Sequence, residues 1–122
     1  MSKTIMIIDD SAAIRTVVGT ALRGAGYNVI EACDGQDALN KVVGEKIHLI
    51  ISDVNMPNMD GITFVKEVKK LPEHRFVPIC MLTTESEQSK MAEGKAAGAK
   101  AWIVKPFQAP KLLDAVSKLV MP

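Results

Sequence analysis

The sequence predicts an α/β protein, a parallel sheet with helices on both faces. Short apolar runs alternate along the chain with longer segments of helical period, the pattern of repeated βα units. Three of the runs, Ile5 to Ile8, Leu49 to Ile51 and Ile79 to Leu82, are almost wholly apolar. Parallel strands covered on both faces read that way, so these three should be central. Polar groups also gather where the runs stop: Asp9-Asp10, Asp53, Thr83 and Lys105. In an open parallel sheet the carboxyl ends of the strands share one edge, and ligands bind there.

The predicted strands are 4–8, 28–31, 47–52, 77–82 and 101–104. The run from Tyr27 to Glu31 mixes polar and apolar residues, which suits an edge. Between the first two strands, Ile14, Val17, Val18, Ala21, Leu22 and Ala25 recur at helical spacing and form an apolar stripe. Ser11 stands ready as the N-cap. The last helix repeats the pattern through Leu112, Leu113, Val116, Leu119 and Val120, and Pro110 is tolerated in its first turn. Gly26 and Gly98 follow helical segments, where a left-handed closing residue is cheapest as glycine. The segment 86–97 has a weak stripe of Met91 and alanines, so it should dock least tightly.

At 122 residues the chain suits one domain, 1–122. With 48% hydrophobic and 24% charged residues it has the balance of a globular protein, and a net charge of +1 argues against bulk attraction to nucleic acid or a membrane surface. No apolar run approaches the roughly 20 residues of a membrane span, and the N-terminus lacks a signal-peptide segment. The expected location is the cytosol. Cys33 and Cys80 lack CxxC spacing, and a reducing compartment would keep them as thiols. Both are expected to be structural, with Cys80 packed in a strand.

Asp9, Asp10 and Asp53 bring three negative charges to the predicted edge against one positive charge, Lys105. Carboxylates a few ångströms apart disfavour one another's ionisation, and a divalent cation removes the conflict. An all-oxygen, carboxylate-rich site suits Mg²⁺, and Cys80, His48 and His74 lie outside the acidic ends. Such a site fits phosphoryl chemistry in which an aspartate attacks phosphorus while ammonium and metal neutralise its oxygens. An acyl phosphate at Asp53 would add about one net negative charge and draw in the Thr83 hydroxyl. A charge-assisted hydrogen bond is worth about 1.5–3 kcal/mol, enough to shift a two-state equilibrium. Taken singly, Asp9-Asp10 is a helix cap, Asp53 a loop residue and Lys105-Pro106 a turn. Their joint placement at the strand ends is what makes a site.

These residues resemble the receiver domain of two-component response regulators across the whole chain. The match rests on Asp9-Asp10, the stretch from Asp53 to Gly61 (DVNMPNMDG), Thr83 and Lys105-Pro106-Phe107. The resemblance implies a doubly wound, five-stranded sheet of order 2-1-3-4-5. It implies that Asp53 takes a phosphoryl group from a histidine kinase, with Mg²⁺ held by Asp10, Asp53 and the Asn55 backbone carbonyl, and by Asp9 through water. Thr83 and Lys105 would contact the phosphoryl group, and Lys105-Pro106 would be a cis peptide. Asn55 and Glu85 match the chemotaxis members, CheY-like, and would tune the lifetime of the phosphate. Family members are signalling phosphoacceptors rather than enzymes, limited to self-catalysed phosphoryl transfer and autodephosphorylation. The implied kinase is CheA-like, and the implied target is a flagellar motor switch protein or another phosphorylation-dependent partner. With no length for a DNA-binding output domain, a monomer that works by binding a partner is expected.

Trp102 departs from the family, whose switch aromatic is usually Tyr or Phe. It should still exchange between exposed and buried rotamers as Thr83 moves; otherwise it simply packs over 86–97. The face of the fourth helix, fifth strand and fifth helix, which binds the motor switch in CheY, carries Glu85, Glu87, Gln88, Lys90, Lys111 and Asp114, a mixed set rather than a basic patch. His48, in an apolar strand, and His74, in a charged loop, read as structural or solvated. Met6 and Met81 read as core, Met56 and Met59 as lining the loop after Asp53 where they could help receive a partner, and Lys66, Lys69 and Lys70 as the solvated face of the third helix. Gly94 to Gly98 lacks phosphate-loop spacing. A phosphorelay shuttle and a receiver outside motility are alternative readings. An aspartyl-phosphate phosphatase of the haloacid dehalogenase type would need Asp-x-Asp after the first strand and usually a cap domain. A flavin-binding module would need a phosphate-cradling loop where Asp9-Asp10 would repel it.

Overall fold

The computed structural model describes residues 2–84 and 89–120. The elements alternate as β1 (Thr4–Ile8), α1 (Ala12–Gly24), β2 (Asn28–Ala32), α2 (Gly35–Val42), β3 (Leu49–Asp53), α3 (Gly61–Val68), β4 (Ile79–Thr83), α4 (Met91–Ala97), β5 (Ala101–Val104) and α5 (Ala109–Leu119). A 3₁₀ turn, Pro72–His74, precedes β4. The strands form one parallel sheet of order β2-β1-β3-β4-β5, as expected, with the mixed strand β2 at an edge.

Alternation along the central strands feeds two cores. Met6, Ile8, Ile50, Ile79 and Met81 face the helices α2 to α4, where Phe64 is the largest fully buried side chain. Ile5, Ile7, Leu49, Ile51, Cys80 and Leu82 face α1 and α5 through Val18, Leu22, Leu112 and Val116. Each fully buried aliphatic side chain contributes about 1.5–3 kcal/mol of transfer free energy, and the central strands are buried at nearly every position. Helices packed on both faces therefore fix the register of β1, β3 and β4, and with it the positions at their carboxyl ends.

The local signals for α1 hold: the Ser11 side chain accepts from the Ile14 amide, and Gly26 takes φ 95° just past the helix. Val17 departs from its stripe, being 58% exposed, because Val18 and Leu22 already fill the contact with the sheet. Two strands begin later than expected, β3 at Leu49 rather than 47 and β4 at Ile79 rather than 77. Ile47, Val77 and Pro78 are buried but precede the ladder, and Pro78 has no N–H to give to it; its carbonyl instead accepts from Ile50. His48 is thus not in a strand. It brackets the start of β1, its amide donating to Thr4 O and its Nδ1 accepting from Thr4 N at 3.0 Å. Of the two readings of His74, structural or solvated, the structural one holds: it is buried, with Nε2 2.8 Å from Val42 O. Met6 and Met81 lie in the core; Met56 and Met59, in the loop after Asp53, are partly buried and pack against its edge. Among the described residues, no helix is long and apolar enough to cross a membrane.

Candidate functional site

At the carboxyl edge of the sheet the ends of β1, β3, β4 and β5 bring Asp9, Asp53, Thr83 and Lys105 together, as the sequence predicts. The later strand boundaries make Asp53 and Thr83 the last residues of their strands, both buried, rather than loop residues. Asp9 is buried too, and Asp10 is exposed at the rim. One carboxylate oxygen from each of Asp9, Asp10 and Asp53 lies within 4.8 Å of the others.

Lys105 closes this cluster. Its Nζ is 3.0 Å from Asp9 Oδ2 and 3.3 Å from Asp53 Oδ1, and the Lys105-Pro106 peptide before α5 is cis. Asp53 Oδ1 also accepts from the Val54 amide at 2.8 Å. Burial first, and the Asp9 charge second, push the Asp53 carboxyl up to about 6, against the opposing pull of Lys105. Burial works against the Lys105 ammonium, but its hydrogen bond to Asp9 and the charges of Asp53 and Asp9 outweigh that and raise its pKa. One ammonium is therefore insufficient for the carboxylates it faces, and an all-oxygen donor set with an excess of negative charge fits a hard divalent cation.

The surroundings hold these groups in place. Asp9 Oδ1 accepts from the Ser11 amide, and its backbone carbonyl accepts from the Arg15 guanidinium at 2.6 Å. Gly61 opens α3 directly against Asp53: a Cβ there would overlap the Asp53 carbonyl oxygen and come within 2.8 Å of Met81 Cε. Thr83 donates from Oγ1 to Thr84 O at 3.1 Å. Trp102 is half-buried and its ring lies on Gly94 of α4, where a Cβ would overlap Cζ2; its Nε1 is buried and has no hydrogen-bond partner among the described residues. Glu85, with Glu87 and Gln88, lies outside the described residues. Cys33 is exposed, while Cys80 is buried in β4 and its thiol is pushed up to about 12 by that burial.

Two features were not foreseen. Lys90 reaches across from before α4 to donate to Asn55 Oδ1 at 2.8 Å, and Asn58, at φ 65°, donates to Asp34 Oδ2, the N-cap of α2. Neither pairing has a sequence signal, because the partners are more than twenty residues apart.

The response regulator receiver domain family matches residues 5–117. The chain belongs to that family. This receiver domain is 37% identical over 119 residues to the chemotaxis protein CheY of Bacillus subtilis, an alignment covering 97% of this chain and 98% of that one. It resembles the solved structure of the chemotaxis response regulator CheY4 of Vibrio cholerae at TM-score 0.93 and 44% identity, covering 98% and 100% of the two chains. At 26% identity and TM-score 0.89, covering 98% of each chain, it also matches the receiver domain of a Pseudomonas aeruginosa sensor histidine kinase, described with a magnesium ion coordinated in its active-site cleft. Receiver domains are signalling proteins rather than classical enzymes, and this one is CheY-like in fold and sequence.

Proposed function

We propose that this receiver domain, spanning 1–122, accepts a phosphoryl group at Asp53 from a CheA-like histidine kinase in the cytoplasm and relays a chemotaxis signal. The observation that carries the reading is the Lys105 ammonium lying between Asp9 and Asp53 at the carboxyl edge of the sheet. Oδ1 of Asp53 is engaged by the Val54 amide and Lys105, which leaves Oδ2 to attack. As Oδ2 bonds to phosphorus, the bond from phosphorus to the donor imidazole nitrogen breaks. Lys105 shifts from the carboxylate pair to the phosphoryl oxygens, and the Thr83 hydroxyl turns from Thr84 O to donate to them as well.

Asp10, Asp53 and the Asn55 carbonyl would hold Mg²⁺ directly and Asp9 would hold it through water. When bound, that ion neutralises negative charge on the carboxylates and the incoming phosphoryl group. Asn55 and Glu85 would set how fast water removes the phosphate, the only further chemistry expected of the domain. The displacement of Thr83 would be read by Trp102, changing the face that binds a flagellar motor switch protein or another phosphorylation-dependent target. The domain acts as a monomer, without nucleic acid or membrane.

Labelling with a small phosphodonor and Mg²⁺ tests the assignment. The wild-type protein should gain an alkali-labile adduct of about 80 Da, one phosphoryl group, and Asp53→Asn should not. Undiminished labelling of Asp53→Asn would remove the assignment.

A further inference from the structure

The opposite edge of the sheet has a chemistry of its own. A groove of about 580 Å³ runs between the ends of α3, α4 and α5 and the starts of β4 and β5. Lys69, Arg75, Lys95, Lys100 and Lys118 line it, and no acidic residue among the described residues does. Lys118 pairs with Asp114 from outside, whereas Lys69, Arg75, Lys95 and Lys100 form no ion pair among the described residues. Its apolar lining is Phe76, Pro78, Ala99, Leu119 and Val120. Phe76, 79% exposed, is shared with a second groove of about 680 Å³ lined by Val43, Ile47, Pro72 and Val77 and also by Glu45, Lys46, His48 and Glu73.

Cations at helix C-termini complement the helix dipole, and that accounts for Lys69, Lys95 and Lys118. It does not account for Arg75 and Lys100, which lie outside the α-helices, nor for their convergence around an exposed phenylalanine. Lys69 is also held in position rather than left to solvent. Its Nζ donates to Val77 O at 2.8 Å, and its Cε lies 3.3 Å from where a Cβ on Gly98 would be, a position at φ 121°. Burial, and then the neighbouring Lys100 charge, lower the pKa of this ammonium, so an anion in the groove would relieve a repulsion already present.

We propose that this edge is a docking site for an acidic, amphipathic segment of a partner protein, with carboxylates in the basic groove and apolar side chains against Phe76 and the adjoining apolar groove. An exposed aromatic flanked by a cationic and an apolar concavity matches a peptide that alternates those two chemistries. A bilayer is flat and would leave both concavities unfilled, and a polynucleotide offers no aliphatic side chains for the second. The site faces away from Asp53, so a partner held there leaves the carboxyl edge open. The proposal does not depend on phosphorylation.

Fluorescence anisotropy with a labelled amphipathic helical peptide of Glu, Leu and Ala tests it, with a control peptide in which every Glu is Gln. The Glu peptide should bind saturably, more weakly at higher salt, and more tightly than the Gln peptide. Lys69→Gln with Lys100→Gln should weaken it about fivefold or more, and Phe76→Ala about tenfold, with circular dichroism verifying that each variant is folded. Binding that is absent, or indifferent to all three substitutions in folded protein, overturns the proposal. So does stronger retention of phosphatidylglycerol vesicles or a single-stranded oligonucleotide than of the peptide. Because the double variant leaves the carboxyl edge intact, its labelling at Asp53 reports separately on the phosphoacceptor reading.

Discussion

Replacing Asp53 by Asn should stabilise the fold at neutral pH in the absence of divalent cations. The buried Asp53 carboxyl titrates at about 6, against 3.8 for an unperturbed aspartate. A raised folded-state pKa means that the native protein binds the extra proton between those values, so its stability falls as pH rises through that window. Two pKa units correspond to about 3 kcal/mol at most, and water reaching the rim of the site reduces this to about 1–3 kcal/mol. The asparagine amide keeps an oxygen for the Val54 N–H and carries no charge to be repelled by Asp9. Urea denaturation followed by far-ultraviolet circular dichroism should place the variant's midpoint above that of wild type at pH 7.5 by about 1 M. The difference should close near pH 4, where the wild-type carboxyl is protonated in the native state. Mg²⁺ at tenfold its dissociation constant should restore about 1.4 kcal/mol to the wild type and less to the variant. A variant no more stable than wild type at pH 7.5, or an advantage that does not change with pH, would refute this account of Asp53.

Lys105→Met removes the one cation paired with the carboxylates of both Asp9 and Asp53 among the described residues, so the Asp53 pKa should rise above about 6, read from the carboxyl ¹³C shift; an unchanged titration would mean that Lys105 exerts little field there. Gly61→Ala places a methyl on the Asp53 carbonyl oxygen and should cost about 3 kcal/mol or more in urea denaturation, with a loss below about 1 kcal/mol showing that α3 can move away. Gly94→Ala drives a methyl into the Trp102 ring, so tryptophan emission should shift to the red, and an unshifted spectrum would show that α4 yields instead. Beryllofluoride with Mg²⁺ should change Trp102 fluorescence, and Thr83→Ala should weaken that response; equal responses in both proteins would uncouple the two residues.

Most of the carboxyl edge was legible because each of its residues sits where an apolar run stops. Continuous burial of β1, β3 and β4 on both faces writes itself into the sequence as nearly unbroken runs of Ile and Leu with Met and Cys, and chain direction then fixes which end carries Asp9, Asp53 and Thr83. The exact starts of β3 and β4 were not legible: Ile47 and Val77 are as apolar as strand residues, and only the partner strand decides where pairing begins. The same limit hid the basic groove. Lys69 reads as part of a solvated helix face with Lys66 and Lys70, yet its stem lies over Gly98 and its ammonium caps Val77 O. Contacts between residues far apart in the chain, such as Lys90 with Asn55, leave no periodic trace.

Among the described residues the buried Nε1 of Trp102 has no hydrogen-bond partner, and that has an energetic consequence. A buried N–H without an acceptor raises the free energy of its state by about 1–3 kcal/mol, a factor of roughly 5 to 150 in population. The inward pose of the ring therefore holds on packing against Gly94 while forgoing a bond that water would supply outside. Any pose that gave this N–H an acceptor would recover that amount, so the Trp102 ring is the place on the β5 face where the proposed phosphoryl switch would need the least free energy to act.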